Sequence, residues 1–166
     1  RDLARSLRQI AQRGADAFYR GPIGDGIALE MARHDGLITK QDLAAYRAVE
    51  RPPIIGSYRG HRIVTMPPPS SGGIHLVQIL NMMEAWPVAE WGAGSAQTVH
   101  HMAEAMKLAY ADRAQYLGDT DFVTVPVAGL ISKAYARHQA AGIAPDHVRP
   151  AADIRPGKPQ PYESDQ

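Results

Sequence analysis

Four clusters of hydroxyl, imidazole, carboxylate or glycine residues have a spacing that could support chemistry. The sharpest is Ser70-Ser71-Gly72-Gly73, set behind Pro67-Pro68-Pro69 and ahead of a long apolar run. Hydroxyls and small residues at a helix start leave backbone N–H groups free to bind an anion, and prolines preset the approach. The same loop can simply cap the helix it opens, because a buried helix end must satisfy its own four orphan N–H groups. Capping is the preferred reading. Neither Ser70 nor Ser71 sits in a Gly-x-Ser-x-Gly elbow, and the sequence places no His with a carboxylate to activate either as a nucleophile.

His100, His101 and Glu104 put imidazole and carboxylate one turn apart, a spacing that could hold a metal or an acid–base pair. The pattern is not His-Glu-x-x-His and the sequence offers no second ligand cluster. The expectation is therefore no metal and a solvated or capped helix face. In Tyr110-Ala111-Asp112-Arg113, an acid beside a base near a helix end reads as a structural ion pair with neighbouring loops. Gly21, Gly24 and Gly26 lack the preceding strand of a dinucleotide fingerprint, and Leu29 stands where that fingerprint wants Gly or Ala. They read as tight turns between helices, and no cofactor is expected.

The elements that must position these residues follow from periodicity and punctuation. Leu3, Leu7, Ile10 and Ala11 predict an amphipathic helix closed by Gly14. Ile23, Ile27, Met31 and Ala32 predict a second, closed by Gly36, and Thr39 with Asp42 forms a capping box for a short third helix ending near Tyr46. Arg51-Pro52-Pro53 stops the helical pattern, and residues 54–66 predict a hairpin about Arg59-Gly60. From Ile74 to Met83 the helix is apolar nearly all round and must be buried on every side. Ser95 caps the longest helix, which runs to about Tyr116, with Val99, Met102, Met106 and Ala109 as its inward stripe and Glu104, Lys107 and Asp112 turned away. Pro126 starts one further turn, and Ser132 or Lys133 begins a last helix through Ala141. The division is a helix-rich segment over 1–144 and an extended tail over 145–166, the latter with five prolines in 22 residues.

Composition removes several classes of function. The 166 residues are 45% hydrophobic and 21% charged, with no apolar run near the length of a membrane span. Eighteen Lys and Arg against seventeen Asp and Glu leave a formal charge of +1, too little field to gather nucleic acid. The absence of Cys removes disulfides, thiolate metal sites and a Cys nucleophile. The chain reads as a piece of something larger.

Taken together, several segments resemble the γ-glutamyltransferase family, also called γ-glutamyl transpeptidases or glutathione hydrolases. The resemblance is carried by Ala17-Phe18-Tyr19-Arg20-Gly21, Gly36-Leu37-Ile38-Thr39, Asp42-Leu43-Ala44-Ala45-Tyr46 and Tyr58-Arg59-Gly60. More specific are Pro67 to Gly73 followed by Gln78-Ile79-Leu80-Asn81, then Met102-Ala103-Glu104-Ala105, Tyr110-Ala111-Asp112-Arg113 and Tyr116-Leu117-Gly118-Asp119. Thr120 departs from the family's usual Pro. The resemblance covers essentially the whole chain and implies the C-terminal part of the family's large subunit. The implied fold class is α+β: an incomplete part of a four-layer αββα N-terminal nucleophile hydrolase sandwich, helix-rich with one β-hairpin.

The family's precursor cuts itself into a large subunit and a small subunit that begins with the catalytic Thr. Pro161-Tyr162-Glu163-Ser164-Asp165-Gln166 resembles the stretch just before that cut, with Asp165 where Asn is more usual. The resemblance thus implies that Tyr162, Glu163, Ser164, Asp165 and Gln166 flank the cleavage site, that Gln166 supplies the scissile carbonyl, and that no catalytic residue lies in this chain. It implies as partners the Thr-led small subunit, the upstream part of the large subunit, and glutathione or another γ-glutamyl substrate. It also implies export to the periplasm or cell exterior. A β-lactam side-chain acylase of the same architecture, and a non-catalytic module binding anions at Ser70 to Gly73, stay open as alternatives.

Overall fold

The computed structural model describes residues 1–164, and the chain divides into two units, Arg1–Glu50 and the remainder from Arg51. In the first unit α1 (Asp2–Arg13) ends on Gly14, whose φ of 65° is the left-handed conformation that glycine adopts without strain. A four-residue helix not foreseen from periodicity, α2 (Asp16–Tyr19), buries Ala17. Four residues are too few for a periodic signal. Pro22 opens α3 (Pro22–Arg33) at its first turn, where the missing N–H costs nothing. Its close differs in detail from the expected one: Asp35 takes the left-handed turn at φ 54°, and Gly36 donates its N–H to the Met31 carbonyl. The capping box of α4 (Lys40–Ala45) forms as expected, with Thr39 N–H to Asp42 Oδ2 at 2.8 Å and Asp42 N–H to Thr39 Oγ1 at 3.2 Å.

The second unit begins with an antiparallel hairpin, β1 (Ile54–Tyr58) and β2 (His61–Thr65), in the register Ile54↔Thr65 to Tyr58↔His61. Its turn is Arg59-Gly60, both at positive φ, as a two-residue hairpin turn requires. Helix α5 (Gly72–Met83) is packed by this hairpin, by α7 (Ala96–Tyr116) and by α9 (Lys133–Ala140). Two short helices, α6 (Val88–Trp91) and α8 (Val127–Leu130), fill the connections; α8 is the turn expected after Pro126, and α6 was not expected. One core gathers Met82, Met83, Ala105, Leu108, Ala109 and Ala136, and a second gathers Ile54, Ile74, Val77, Leu130 and Tyr135.

The expected inward face of α7 is overturned, and α5 is not buried on every side, since Leu76 is 44% exposed. The inward face of α7 is Thr98, His101, Ala105, Leu108 and Asp112, whereas Val99, Met102 and Met106 are 55%, 43% and 39% exposed. Glu104 and Asp112, expected to point outward, are 2% and 0% exposed. Both stripes have helical spacing. The polar one is inside because Ala105 and Ala109 let α5 approach closely, and because the inward His101, Glu104 and Asp112 of α7 each find a partner.

The Pro-rich stretch from Pro145 lies on the second unit. Ile154 joins the first core, Pro159 is fully buried, and short 3-10 turns form at Ala151–Asp153 and Gln160–Tyr162.

Candidate functional site

The chemistry that α5, α7 and α9 bring together centres on Asp112, near the end of α7. Its carboxylate is wholly buried and accepts four hydrogen bonds. Oδ2 receives Gln78 Nε2 at 2.6 Å, Tyr135 Oη at 2.8 Å and Gln139 Nε2 at 2.9 Å, and Oδ1 receives the backbone N–H of Gly157 at 2.7 Å. Gln139 Oε1 in turn accepts from Gln78 Nε2 at 3.1 Å, and Gln139 Nε2 also donates to Tyr135 Oη at 3.0 Å. The expected ion pair with neighbouring loops is therefore replaced by a carboxylate held by neutral donors, a strong arrangement because one partner is charged and water is excluded. Burial first, then the adjoining Asp112 carboxylate, pushes the Tyr135 hydroxyl far above the usual tyrosine range, so it remains a donor.

The arrangement holds the C-terminal stretch. Tyr116, one turn beyond Asp112, donates its hydroxyl to the Gly157 carbonyl at 2.7 Å, so two residues on one face of α7 grip both polar groups of Gly157. A side chain at Gly157 would have no room: a Cβ there would lie 2.1 Å from Tyr135 Oη. Further along, Tyr162 packs against Tyr135 with ring centroids 5.3 Å apart, and the Glu163 carboxylate accepts the Gly129 N–H at 2.7 Å. Of the residues expected to flank a cleavage site, Tyr162, Glu163 and Ser164 belong to a stretch held at several points, while Asp165 and Gln166 lie outside the described residues.

The loop Ser70 to Gly73 behaves mainly as packing. Gly73 sits against the end of β2, where a Cβ would fall 1.9 Å from the Met66 carbonyl oxygen. Ser70 Oγ accepts the Gly72 N–H at 3.3 Å, and Ser71 Oγ accepts Arg113 Nε at 3.1 Å. His75, one turn into α5, is buried beside Tyr110 with its Nε2 unpartnered. Burial first, and then the positive charge of Arg113, lowers its pKa.

His101 and Glu104 do not form the solvated face expected of them. His101 is buried between Trp86 and Trp91, with ring centroids 4.6 and 4.7 Å away, and its Nδ1 donates to the Gln97 carbonyl. Glu104 pairs with Lys107, which also donates to the Arg149 carbonyl at 2.6 Å, and His100 Nε2 donates to the Ala144 carbonyl at 2.7 Å. Each of these groups is thus engaged, His100, His101 and Lys107 with backbone carbonyls and Glu104 with Lys107. Among the described residues no three His, Cys, Asp or Glu side chains converge as metal ligands. In the first unit an open groove is lined by Leu29, Ala32, Ile38 and the Asp25–Lys40 ion pair at 2.6 Å.

Reasoning from sequence missed Gln78, Tyr116, Tyr135, Gln139 and Gly157. The usable signal was three polar residues, Gln78, Asp112 and Gln139, recurring on core-facing positions of three separate helices.

Comparison with known proteins explains the architecture. The family model for gamma-glutamyltranspeptidase matches residues 1–166. The chain is 56% identical to the glutathione hydrolase proenzyme of Escherichia coli over 99% of its own length and 28% of that protein's. It is 50% identical to the acylase ACY 1 proenzyme of a Pseudomonas strain over 84% of this chain and 25% of that one. Among solved structures, the Helicobacter pylori gamma-glutamyltranspeptidase aligns with a TM-score of 0.82 and 51% identity, over 94% of this chain and 45% of that one. A cephalosporin acylase from Bacillus halodurans aligns at 0.78 and 33% identity, over 94% of this chain and 28% of that one. The chain therefore spans little more than a quarter of the curated relatives it matches. The helix-rich α+β part of an N-terminal nucleophile hydrolase sandwich, with one hairpin, is the fold these neighbours share with it. By a family match that runs through every residue and a structural likeness that covers nearly all of them, this chain belongs to the γ-glutamyltranspeptidase family.

Proposed function

We propose that this chain is the large-subunit segment of an enzyme that takes the γ-glutamyl group from glutathione or a related compound and passes it to water or to an amino acid or peptide. The observation that carries the reading is the 56% identity, over 99% of this chain, to a protein named glutathione hydrolase proenzyme. The nucleophile is a Thr that opens a separate small subunit, so no catalytic residue is assigned here.

The segment Tyr162 to Gln166 flanks the processing bond. In the precursor the Thr hydroxyl adds to the Gln166 carbonyl, the Gln166–Thr amide bond breaks, and the acyl group moves from nitrogen to oxygen as an ester. Water then cleaves the ester, leaving a carboxylate on Gln166 and restoring the Thr hydroxyl. The freed α-amine, with an ordinary pKa near 8, acts as base for that hydroxyl in later turnovers. Each turnover forms a γ-glutamyl ester on the Thr, expels the rest of the donor as the free amine, and ends when water or an acceptor amine takes the acyl group. Partners are the Thr-led small subunit and the upstream part of the large subunit, and family resemblance favours export. Among the described residues no helix is long and apolar enough to cross a membrane.

A second reading, β-lactam side-chain acylase, is favoured by the likeness to two acylases. Assay of the full precursor after processing, with a γ-glutamyl anilide and with a glutaryl β-lactam, separates the two. Release of the anilide is expected, and release from the β-lactam alone overturns the first reading. The isolated 166-residue chain is expected to turn over neither, and turnover by it would overturn the placement of the nucleophile.

A further inference from the structure

We propose that Asp112, with Tyr116 one turn along α7, is the positioning device that sets the register of the segment leading to the processing bond. The inference rests on the processing reading above and adds to it the residues that aim the bond. Gly157 is the fixed point: its N–H is held by Asp112 Oδ1 at 2.7 Å and its carbonyl by the Tyr116 hydroxyl at 2.7 Å. The carboxylate cannot swing, because Gln78, Tyr135 and Gln139 hold its other oxygen. The segment cannot slip by one residue, because only glycine fits against Tyr135 Oη, and the residues on either side are Pro156 and Lys158. Pro156 has no N–H to offer Asp112.

Reach shows what this gains. Gln166 lies nine positions beyond Gly157, a tether of about 30 Å when extended. The Glu163–Gly129 hydrogen bond leaves three residues, about 10 Å. An attack within one chain needs its reacting atoms about 3 to 3.5 Å apart, and a misplacement near 1 Å can cost about 100-fold in rate. A buried four-donor clasp followed by a second pin is suited to removing slack of this size before the attack.

The chemistry also explains why a carboxylate occupies this position. All four neighbours of Asp112 donate, so an amide of the same size must turn its NH2 toward at least one of them. In Asp112→Asn the oxygen stays with the three side-chain donors and the NH2 faces the Gly157 N–H, which releases the tail and leaves the packing of α5, α7 and α9 in place.

The test uses the full-length precursor and follows its conversion to two subunits after synthesis. D112N is expected to slow conversion by about 100-fold. Y116F, which keeps the ring and removes only the hydroxyl, is expected to slow it by a smaller factor. Once processed, each variant is expected to show wild-type kcat/KM per processed enzyme toward a γ-glutamyl anilide, and a melting temperature near wild type in the precursor. This split between processing and turnover separates positioning from general support of the fold. Wild-type processing in both variants overturns the proposal, as does an equal loss of processing, turnover and melting temperature. Where D112N fails to fold, Y116F alone decides: slowed processing with normal turnover supports the clasp, and unchanged processing overturns it. The control replaces the residue after Gln166 with Ala. Continued cleavage there means the processing reading itself fails, whereas blocked cleavage beside normally processing D112N and Y116F removes only the clasp.

Discussion

The two units differ in how far apart in sequence their partners lie. In the first, most polar contacts join near neighbours: Asp2–Arg5, Asp16–Arg20 and the Thr39–Asp42 box span three or four residues, the longer links are Asp25–Lys40 and Arg20 to the Ala44 carbonyl, and Ala17 is the buried apolar side chain. In the second, Gln78 meets Asp112 from 34 residues away, Asn81 Nδ2 reaches the Ile131 carbonyl across 50, and two apolar cores close around them. Contacts at helical spacing between exposed charges are each worth about 0.3–0.5 kcal/mol, whereas burying a large apolar side chain is worth about 1.5–3 kcal/mol. The second unit therefore carries its own stability. The first has a set of well-capped helices and little core.

The strongest challenge to this contrast is Gly73→Ala. The new Cβ would collide with the Met66 backbone carbonyl, which is anchored at the end of the hairpin and cannot move as a side chain can. The expected loss is about 3 kcal/mol, read by denaturant unfolding. In hydrogen exchange the amides of α5 lose protection while those of the α4 capping box do not. Equal loss in both units would show that the contrast is wrong.

A smaller effect comes from His75, whose buried imidazole is held below the ordinary histidine pKa by desolvation and then by Arg113, with a hydrogen bond to the Ala109 backbone working the other way. Below its ordinary value near 6.5 the unfolded chain binds a proton that the folded chain resists, so the contribution is complete above that pH and is lost as pH falls toward the lowered folded value. His75→Leu is expected to flatten the fall in stability between pH 7 and pH 5 relative to the parent chain. An unchanged slope would place the titration elsewhere.

Legibility in the sequence follows the same division. The capping box, the Arg59-Gly60 turn, Ser95 as an N-cap and the start of the last helix at Lys133 depend on residues within a few positions of one another, and each forms as read. What periodicity could not settle is which of two helical stripes on α7 faces inward. Spacing fixes the angle between the stripes, while the neighbour that covers one of them is set by α5 and α9. Hydrophobicity chose the stripe containing Val99, Met102 and Met106, because it prices a buried Asp as costly. Here Gln78, Tyr135, Gln139 and Gly157 remove that cost, and all four lie outside any local window around Asp112. The grip on the C-terminal stretch was hidden for the same reason, since it depends on a helix more than 40 residues earlier.

Helix caps extend the comparison at about 1 kcal/mol. Thr39→Ala removes one side of a box on a six-residue helix with no buried residue, so α4 should fray, visible as faster amide exchange over Lys40–Ala45. Ser95→Ala removes an equivalent hydrogen bond from α7, but that helix has 21 residues and a buried face, so the loss should appear as about 1 kcal/mol of global stability with no local fraying. Local fraying of α7 would mean that tertiary packing supports it less than the cores suggest.

The smallest effect tests the first unit from within. Gly24 and Gly26 both lie in α3, two residues apart, and in sequence they look interchangeable. In the fold a Cβ on Gly24 would meet the Phe18 carbonyl at 2.5 Å, so this glycine lets α2 and α3 touch, whereas a Cβ on Gly26 meets nothing within 4 Å. Gly26→Ala should therefore stabilise the unit by about 0.5–1 kcal/mol through helix propensity and the lost freedom of the unfolded chain. Gly24→Ala should destabilise it, because the same gain is outweighed by the clash. Opposite signs would confirm that the glycines once comparable to a nucleotide fingerprint serve close helix packing. Equal stabilisation by both would remove the α2–α3 contact from the account of how this unit is held.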